Sequence, residues 1–177
     1  EPAALMAGLG TALTSLAEAE GFSGVVRLDG FGGDDTSLAF GHAHRGFGIP
    51  NTTDTQFAVA SGAKGFTALV VVSLIEEGIL APDTPARALL DDDLPLIAGD
   101  VTIDHLLAHR SGIGDYLDEE DEDLEIDDYV LDTPVHRLTH TEAYVPEIDG
   151  YPTKFPAGEQ FSYCNGGYIV LALLAER

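Results

Sequence analysis

The sequence predicts an α+β fold, an antiparallel sheet packed on helices together with a mostly helical region. Three observations carry that expectation: two strand-like runs joined by a turn-rich segment, a long helix apolar on nearly all sides, and helix-like patterns after it. Leu5, Leu9, Leu13 and Leu16 recur at spacings of three and four before Gly21, the pattern of an amphipathic helix with a stop. Residues 24–28 and 38–44 read as strands of an antiparallel hairpin, with the turn at 29–35. Residues 56–60 lead directly into a helix from about Ser61 to Glu77, closed by Gly78. In it Leu69, Val70, Val71, Val72, Leu74 and Ile75 leave no wide polar stripe, so it is expected at the centre of a core. Residues 82–100 are rich in Pro and Asp. Residues 102–109 read as a short helix capped by Thr102 and ended by Ser111-Gly112, and residues 166–177 begin another apolar helix.

The chain has 177 residues, with 31 acidic and 8 basic side chains, a formal charge of −23 and a pI near 4.1. That length fits a single domain over residues 1–177, with helix and hairpin in 1–60 and the helical region in 61–177. A chain of this size buries roughly 70% of its unfolded surface, and 45% hydrophobic residues with mean hydropathy +0.08 argue against disorder. So negative a field repels phosphate backbones and anionic lipid, so neither nucleic acid nor a membrane surface is expected as partner. The longest apolar run, 168–175, has eight residues and cannot span a bilayer. A lone cysteine, Cys164, excludes an internal disulfide and a Cys-based zinc site. The compartment stays open between cytoplasm and export with a removed leader.

The stretch Ala60-Ser61-Gly62-Ala63-Lys64 carries the first chemistry. Ser61 sits where a strand-like run turns into the apolar helix, and Lys64 follows one turn later on the same face. An unpaired ammonium on such a helix costs several kcal/mol if buried, so the lysine must be paired, neutral or facing a cleft. The chain has only two lysines, Lys64 and Lys154, which makes chance placement a weak explanation. A desolvated lysine can take the proton of a nearby hydroxyl, and a helix N-terminus favours negative charge developing at Ser61. The alternative is a coincidence of four residues.

A second constellation lies 102 positions beyond Ser61, where Tyr163-Cys164-Asn165 precedes the last helix. With Ser61-x-x-Lys64 and the intervening Leu106-Leu107-Ala108-His109-Arg110-Ser111-Gly112, residues 24–177 resemble the penicillin-recognising serine hydrolases. The likeness is to the branch of class C β-lactamases, DD-peptidases and esterases, in which Tyr-x-Asn stands where class A relatives carry Ser-Asp-Asn. The resemblance implies an α/β sandwich of the β-lactamase and transpeptidase type. It implies that Ser61 attacks an amide or ester carbonyl to form an acyl-enzyme, with Lys64 and Tyr163 sharing the proton transfers. Asn165 would bind the substrate amide or orient Lys64. The Ser61 backbone N–H would be one oxyanion donor, worth about 3 to 4 kcal/mol. Expected substrates are small molecules or peptides, and no cofactor or metal is called for. Without the motif around it, Tyr163 would read as a core tyrosine.

Other candidates are weaker. His105 and His109 share a helix face, but a zincin needs Glu after the first His and this chain has Leu106. In the resembling family His109 belongs to a structural turn. His42 and His44 share a strand face without further ligands. Cys164 has no adjacent base and reads as a small buried side chain. Asn51-Thr52-Thr53 fits the glycosylation pattern by chance. Ten of the fourteen residues in 115–128 are acidic and read as a solvated loop, since a calcium loop starting at Asp121 would need Gly where Ile126 stands.

The family's third motif, Lys-Thr-Gly or a relative of it on a late strand, has no counterpart after Asn165, and His44-Arg45-Gly46 precedes Ser61. The chain is therefore expected to be the N-terminal portion of such a hydrolase with its C-terminal strands missing. A complementary C-terminal fragment or a homodimer would cover the open edge. The alternative reading is a penicillin-binding-like sensor or interaction module that does not turn over, or a fragment without activity.

Overall fold

The computed structural model describes residues 2–30, 35–124 and 129–177, and of residues 2–7 the backbone alone. The turn read at 29–35 therefore lies outside them in its central part, as does the end of the acidic run, Ile126 included. The chain divides into two compact units, Glu1–Ala58 and Val59–Arg177.

In the first unit, helix α1 (Pro2–Glu20) stops where Gly21 takes φ +61° and the Phe22 N–H reaches back to the Ala17 carbonyl at 2.9 Å. Strand β1 (Gly24–Leu28) pairs antiparallel with β2 (Thr36–Phe40), with Val26 opposite Leu38. The run read as one strand to residue 44 is two. Gly41, at φ +63°, breaks it, and a Cβ there would sit 2.6 Å from the Ser23 hydroxyl oxygen. Strand β3 (His42–His44) then pairs with β4 (Ile49–Pro50) instead. The Asn51 amide is buried and donates to the Phe40 carbonyl at 2.8 Å, so its nitrogen is spent inside the unit rather than displayed for modification.

The second unit is helical. A 3₁₀ turn (Ala60–Gly62) opens helix α2 (Ala63–Glu76), followed by α3 (Arg87–Leu90), α4 (Ile103–Leu107), α5 (Val145–Ile148) and α6 (Asn165–Glu176). Helix α6 packs on both α2 and α4. Leu171 and Leu173 on α6 are fully buried with Leu90, Ile103 and Val71, each such side chain contributing about 1.5 to 3 kcal/mol on removal from water. The centre of this core is therefore α6. Of α2 only Val71 is buried, while Phe66, Leu69 and Val70 are each more than half exposed. All-round apolarity tells that a helix has faces to cover; it does not tell which neighbour covers each. In the Pro- and Asp-rich segment, the Arg87 guanidinium donates to the carbonyls of Asp91, Asp93, Leu94 and Ile97 and so organises a loop in which Asp91 and Leu94 have positive φ.

Helix α4 starts with a reciprocal cap: Thr102 Oγ1 accepts from the His105 N–H, and His105 Nδ1 accepts from the Thr102 N–H, both at 3.3 Å. After it, the backbone of 109–114 crosses that of 151–162. The N–H groups of Lys154, Gly158 and Ser162 donate to the carbonyls of Gly112, Arg110 and His109 at 2.8, 2.8 and 2.9 Å. The crossing needs glycines. A Cβ on Gly112 would overlap the Phe155 carbonyl oxygen, and one on Gly114 would lie 2.5 Å from Tyr151 Cβ. It carries the segment before α6 to the end of α4.

Candidate active site

Ser61 and Lys64 are brought together by local helix geometry. Ser61 lies in the 3₁₀ turn and Lys64 in the first turn of α2, with Nζ donating to Ser61 Oγ at 3.1 Å. Ala60 just before takes φ +43°, a left-handed conformation that costs a residue with a Cβ about 1 to 2 kcal/mol. Tyr163 arrives from the segment before α6, its hydroxyl donating to Ser61 Oγ at 2.8 Å. Asn165, the first residue of α6, accepts from Lys64 Nζ on Oδ1 at 2.8 Å. All four residues read from the sequence thus form one hydrogen-bonded group within the second unit. Ser61, Lys64 and Asn165 border a cavity of about 580 Å³, together with Tyr116, Tyr144 and Tyr168.

The surroundings set the chemistry. Asn165 Nδ2 donates to the Leu117 carbonyl at 3.0 Å and to Glu119 at 3.1 Å, which fixes Oδ1 as the atom facing the lysine. The half-buried ammonium also lies 4.8 Å from the centre of the Tyr163 ring and 5.9 Å from that of Tyr168. Among the described residues no carboxylate is ion-paired with Lys64. Both Lys64 and Tyr163 direct donors at Oγ.

Three residues that the sequence reading passed over or treated as scaffold hold this group. The His109 ring stacks between Tyr163 (4.5 Å, 30°) and Tyr168 (5.0 Å, 32°), and its Nδ1 accepts from the Cys164 N–H at 3.1 Å. Burial, and then the charge of Lys64, hold the His109 pKa below its usual value. Asp115, read as part of a solvated run, is 6% exposed and accepts from the N–H groups of Asn165 and Gly166 at 2.5 and 2.8 Å. Burial raises its pKa against the pull of those backbone donors. Glu119, from the same run, orients the Asn165 amide. One signal marked Asp115: it follows Gly112-Ile113-Gly114 rather than other acids. The Cys164 thiol is buried, accepts from the Gly167 N–H at 3.2 Å, and is pushed up to about 12, chiefly by burial. His42 and His44 are exposed on β3. Among the described residues no group of three or more His, Cys, Asp or Glu could hold a metal, and no helix is long and apolar enough to cross a membrane.

Comparison with known proteins adds the lineage. The profile described as Beta-lactamase matches residues 10–177. The chain belongs to the Beta-lactamase family. Penicillin-binding protein 4 of Amycolatopsis lactamdurans is 34% identical over 150 residues, 81% of this chain and 35% of that protein. Esterase EstB of Burkholderia gladioli is 42% identical over 83 residues, 45% of this chain and 21% of that one. Among solved structures, a penicillin binding protein from Bacillus halodurans superposes with a TM-score of 0.80 at 37% identity, over 93% of this chain and 49% of that one. This Beta-lactamase-family chain thus spans about a third of the length of its penicillin-binding relative, and its mixed helix-and-sheet architecture is that of its solved relatives.

Proposed function

We propose that this chain carries the acyl-transfer centre of a serine hydrolase acting on an amide or ester carbonyl. The observation that supports this most directly is the convergence of Lys64 Nζ and Tyr163 Oη on Ser61 Oγ, at 3.1 and 2.8 Å. In the proposed step Ser61 Oγ bonds to the carbonyl carbon, its proton passes to Lys64 or Tyr163, and the same group protonates the departing amine or alcohol as its bond to carbon breaks. Water then attacks the acyl-enzyme, releasing the acid and restoring Ser61. Asn165 holds Lys64 in line by accepting from it on Oδ1, while its Nδ2 donates to Leu117 and Glu119.

The names of the relatives, penicillin-binding protein and esterase, supply two substrate classes that share this step, and a penicillin-binding sensor would stop at the acyl-enzyme. We further take the exposed stripe Phe66, Leu69 and Val70 on α2 as the seat of a complementary C-terminal segment, because the relatives carry at least as much chain again as they share with this one. Turnover then requires that segment, whereas labelling of Ser61 requires only the residues present.

A fluorophosphonate probe followed by mass spectrometry tests the reading. Labelling on Ser61 that is lost in Ser61→Ala is the expected result, and an unlabelled wild type overturns it. Nitrocefin, p-nitrophenyl butyrate and a D-Ala-D-Ala peptide then sort lactamase, esterase and peptidase. Stable labelling by a fluorescent penicillin without turnover points to the sensor.

A further inference from the structure

The start of α6 is capped in an uncommon way. A helix leaves its first N–H groups without intrahelical partners, and the residue just before it ordinarily supplies an oxygen. Here that residue is Cys164, whose sulfur takes only the Gly167 N–H. The N–H groups of Asn165 and Gly166 are both taken by one carboxylate, that of Asp115, fifty residues earlier. Gly166 makes room for it, since a Cβ there would lie 3.2 Å from Asp115 Oδ1. A negative charge at this helix end is electrostatically favourable, which offsets the cost of burying the only buried acid of the described part of the acidic run.

What Asp115 clamps is the backbone of the residue whose side chain holds Lys64. We propose that Asp115 is a positioning residue for Lys64: by fixing the first turn of α6 it sets where Asn165 Oδ1 stands, and through it the line from Nζ to Ser61. Its contact with the lysine is entirely through Asn165. The catalytic consequence rests on the proposed role of Ser61; the structural link does not.

The two lysines make the test clean. In protein carrying ε-¹³C-lysine, Lys64 and Lys154 give two resonances, assigned with a Lys154→Arg variant. Asp115→Asn keeps the shape but leaves one of the two N–H groups without an acceptor. The Lys64 resonance is expected to move while that of Lys154 stays within its line width, and fluorophosphonate labelling of Ser61 is expected to slow about 100-fold, the usual size of a small misplacement of a reacting group. Gly166→Ala keeps the carboxylate and crowds it, and is expected to shift both readouts the same way by less, so it carries the test if Asp115→Asn does not fold. A purely structural Asp115 would lower the melting temperature and leave the Lys64 resonance of the folded protein where it was; that result overturns the proposal, as does a moved resonance with an unchanged labelling rate. If wild type is not labelled yet the resonance moves, the link stands and the assignment of Ser61 as nucleophile falls.

Discussion

Two serine–lysine pairs lie among the described residues, and their surroundings differ. At Ser61 the lysine meets a hydroxyl, an amide oxygen and the faces of two tyrosines. At Ser162, Lys154 Nζ donates to the serine hydroxyl at 3.0 Å but is also 2.7 Å from Asp118 and 3.6 Å from Glu120, and Ser162 Oγ donates to Glu120 at 2.6 Å. Burial pulls the Lys154 pKa down, yet the hydrogen bond and charge of Asp118 and the charge of Glu120 outweigh it and raise the value. Ser162 is buried, and its proton points at a carboxylate. The second pair is a clamp between the acidic loop and the crossing segment. A serine beside a lysine is therefore not yet a nucleophile. What the lysine's other partners are decides whether its proton can leave.

The sharpest way to break that contrast is to give Lys64 the partner that Lys154 has. Asn165→Asp puts a carboxylate at 2.8 Å from Nζ and sets it against Glu119, where the amide had donated. Proton transfer at a positioned base is worth about 10² to 10⁴ in rate, and fluorophosphonate labelling of Ser61 is expected to fall by that order. An Asn165→Asp protein that labels at the wild-type rate would mean that the neutrality of this partner is immaterial.

Both pairs hang on the crossing at Gly112, whose carbonyl accepts from the Lys154 N–H. Gly112→Ala forces a Cβ against the Phe155 carbonyl at φ +66° and is expected to cost about 3 to 5 kcal/mol of stability, read by denaturant unfolding. The opposite move, Lys154→Met, removes the clamp alone. It leaves Asp118 and Glu120 without their cation, costs about 1 to 3 kcal/mol, is partly relieved by salt, and leaves the labelling rate of the folded protein intact. A Lys154→Met protein that keeps its stability but loses labelling would reverse the assignment of the two pairs.

What was legible in the sequence follows from distance along the chain. Ser61 and Lys64 are one helical turn apart, and Tyr163 and Asn165 flank one residue, so each half of the site is local and only its meeting across 102 positions had to be supplied by the fold. The long-range parts were hidden. Nothing near Gly112 tells that Phe155 lies against it. Asp115 stood in a run with nine other acids, set apart in sequence only by the Gly112-Ile113-Gly114 before it, until burial separated it from the described ones. The neighbours of α2 could not be read either, because its own residues are apolar on every side, and the central place went to α6, whose two faces meet α2 and α4.

His109 offers the finest test of the difference, because its ring acts on the first pair alone. Its neutral ring accepts the Cys164 N–H on Nδ1 and stacks on Tyr163 and Tyr168, the rings over which Lys64 lies. Protonation would set donor against donor at Nδ1 and cation against cation at Lys64. Burial and Lys64 hold the folded pKa below the ordinary 6.5, so the unfolded chain takes up the proton first. The stability held in the neutral ring is whole above 6.5 and is lost as pH falls through the folded value. Asn is the informative replacement: it tolerates the φ of +54° at this position, offers an acceptor oxygen close to Nδ1, and does not titrate. His109→Asn is expected to lower the melting temperature modestly at pH 8 through loss of stacking, and to show a shallower fall between pH 7 and 5 than wild type. The Lys154 pair meets His109 only through its backbone carbonyl, which the substitution keeps, and touches no histidine ring among the described contacts, so equal slopes in the two proteins would remove His109 from the first pair's support.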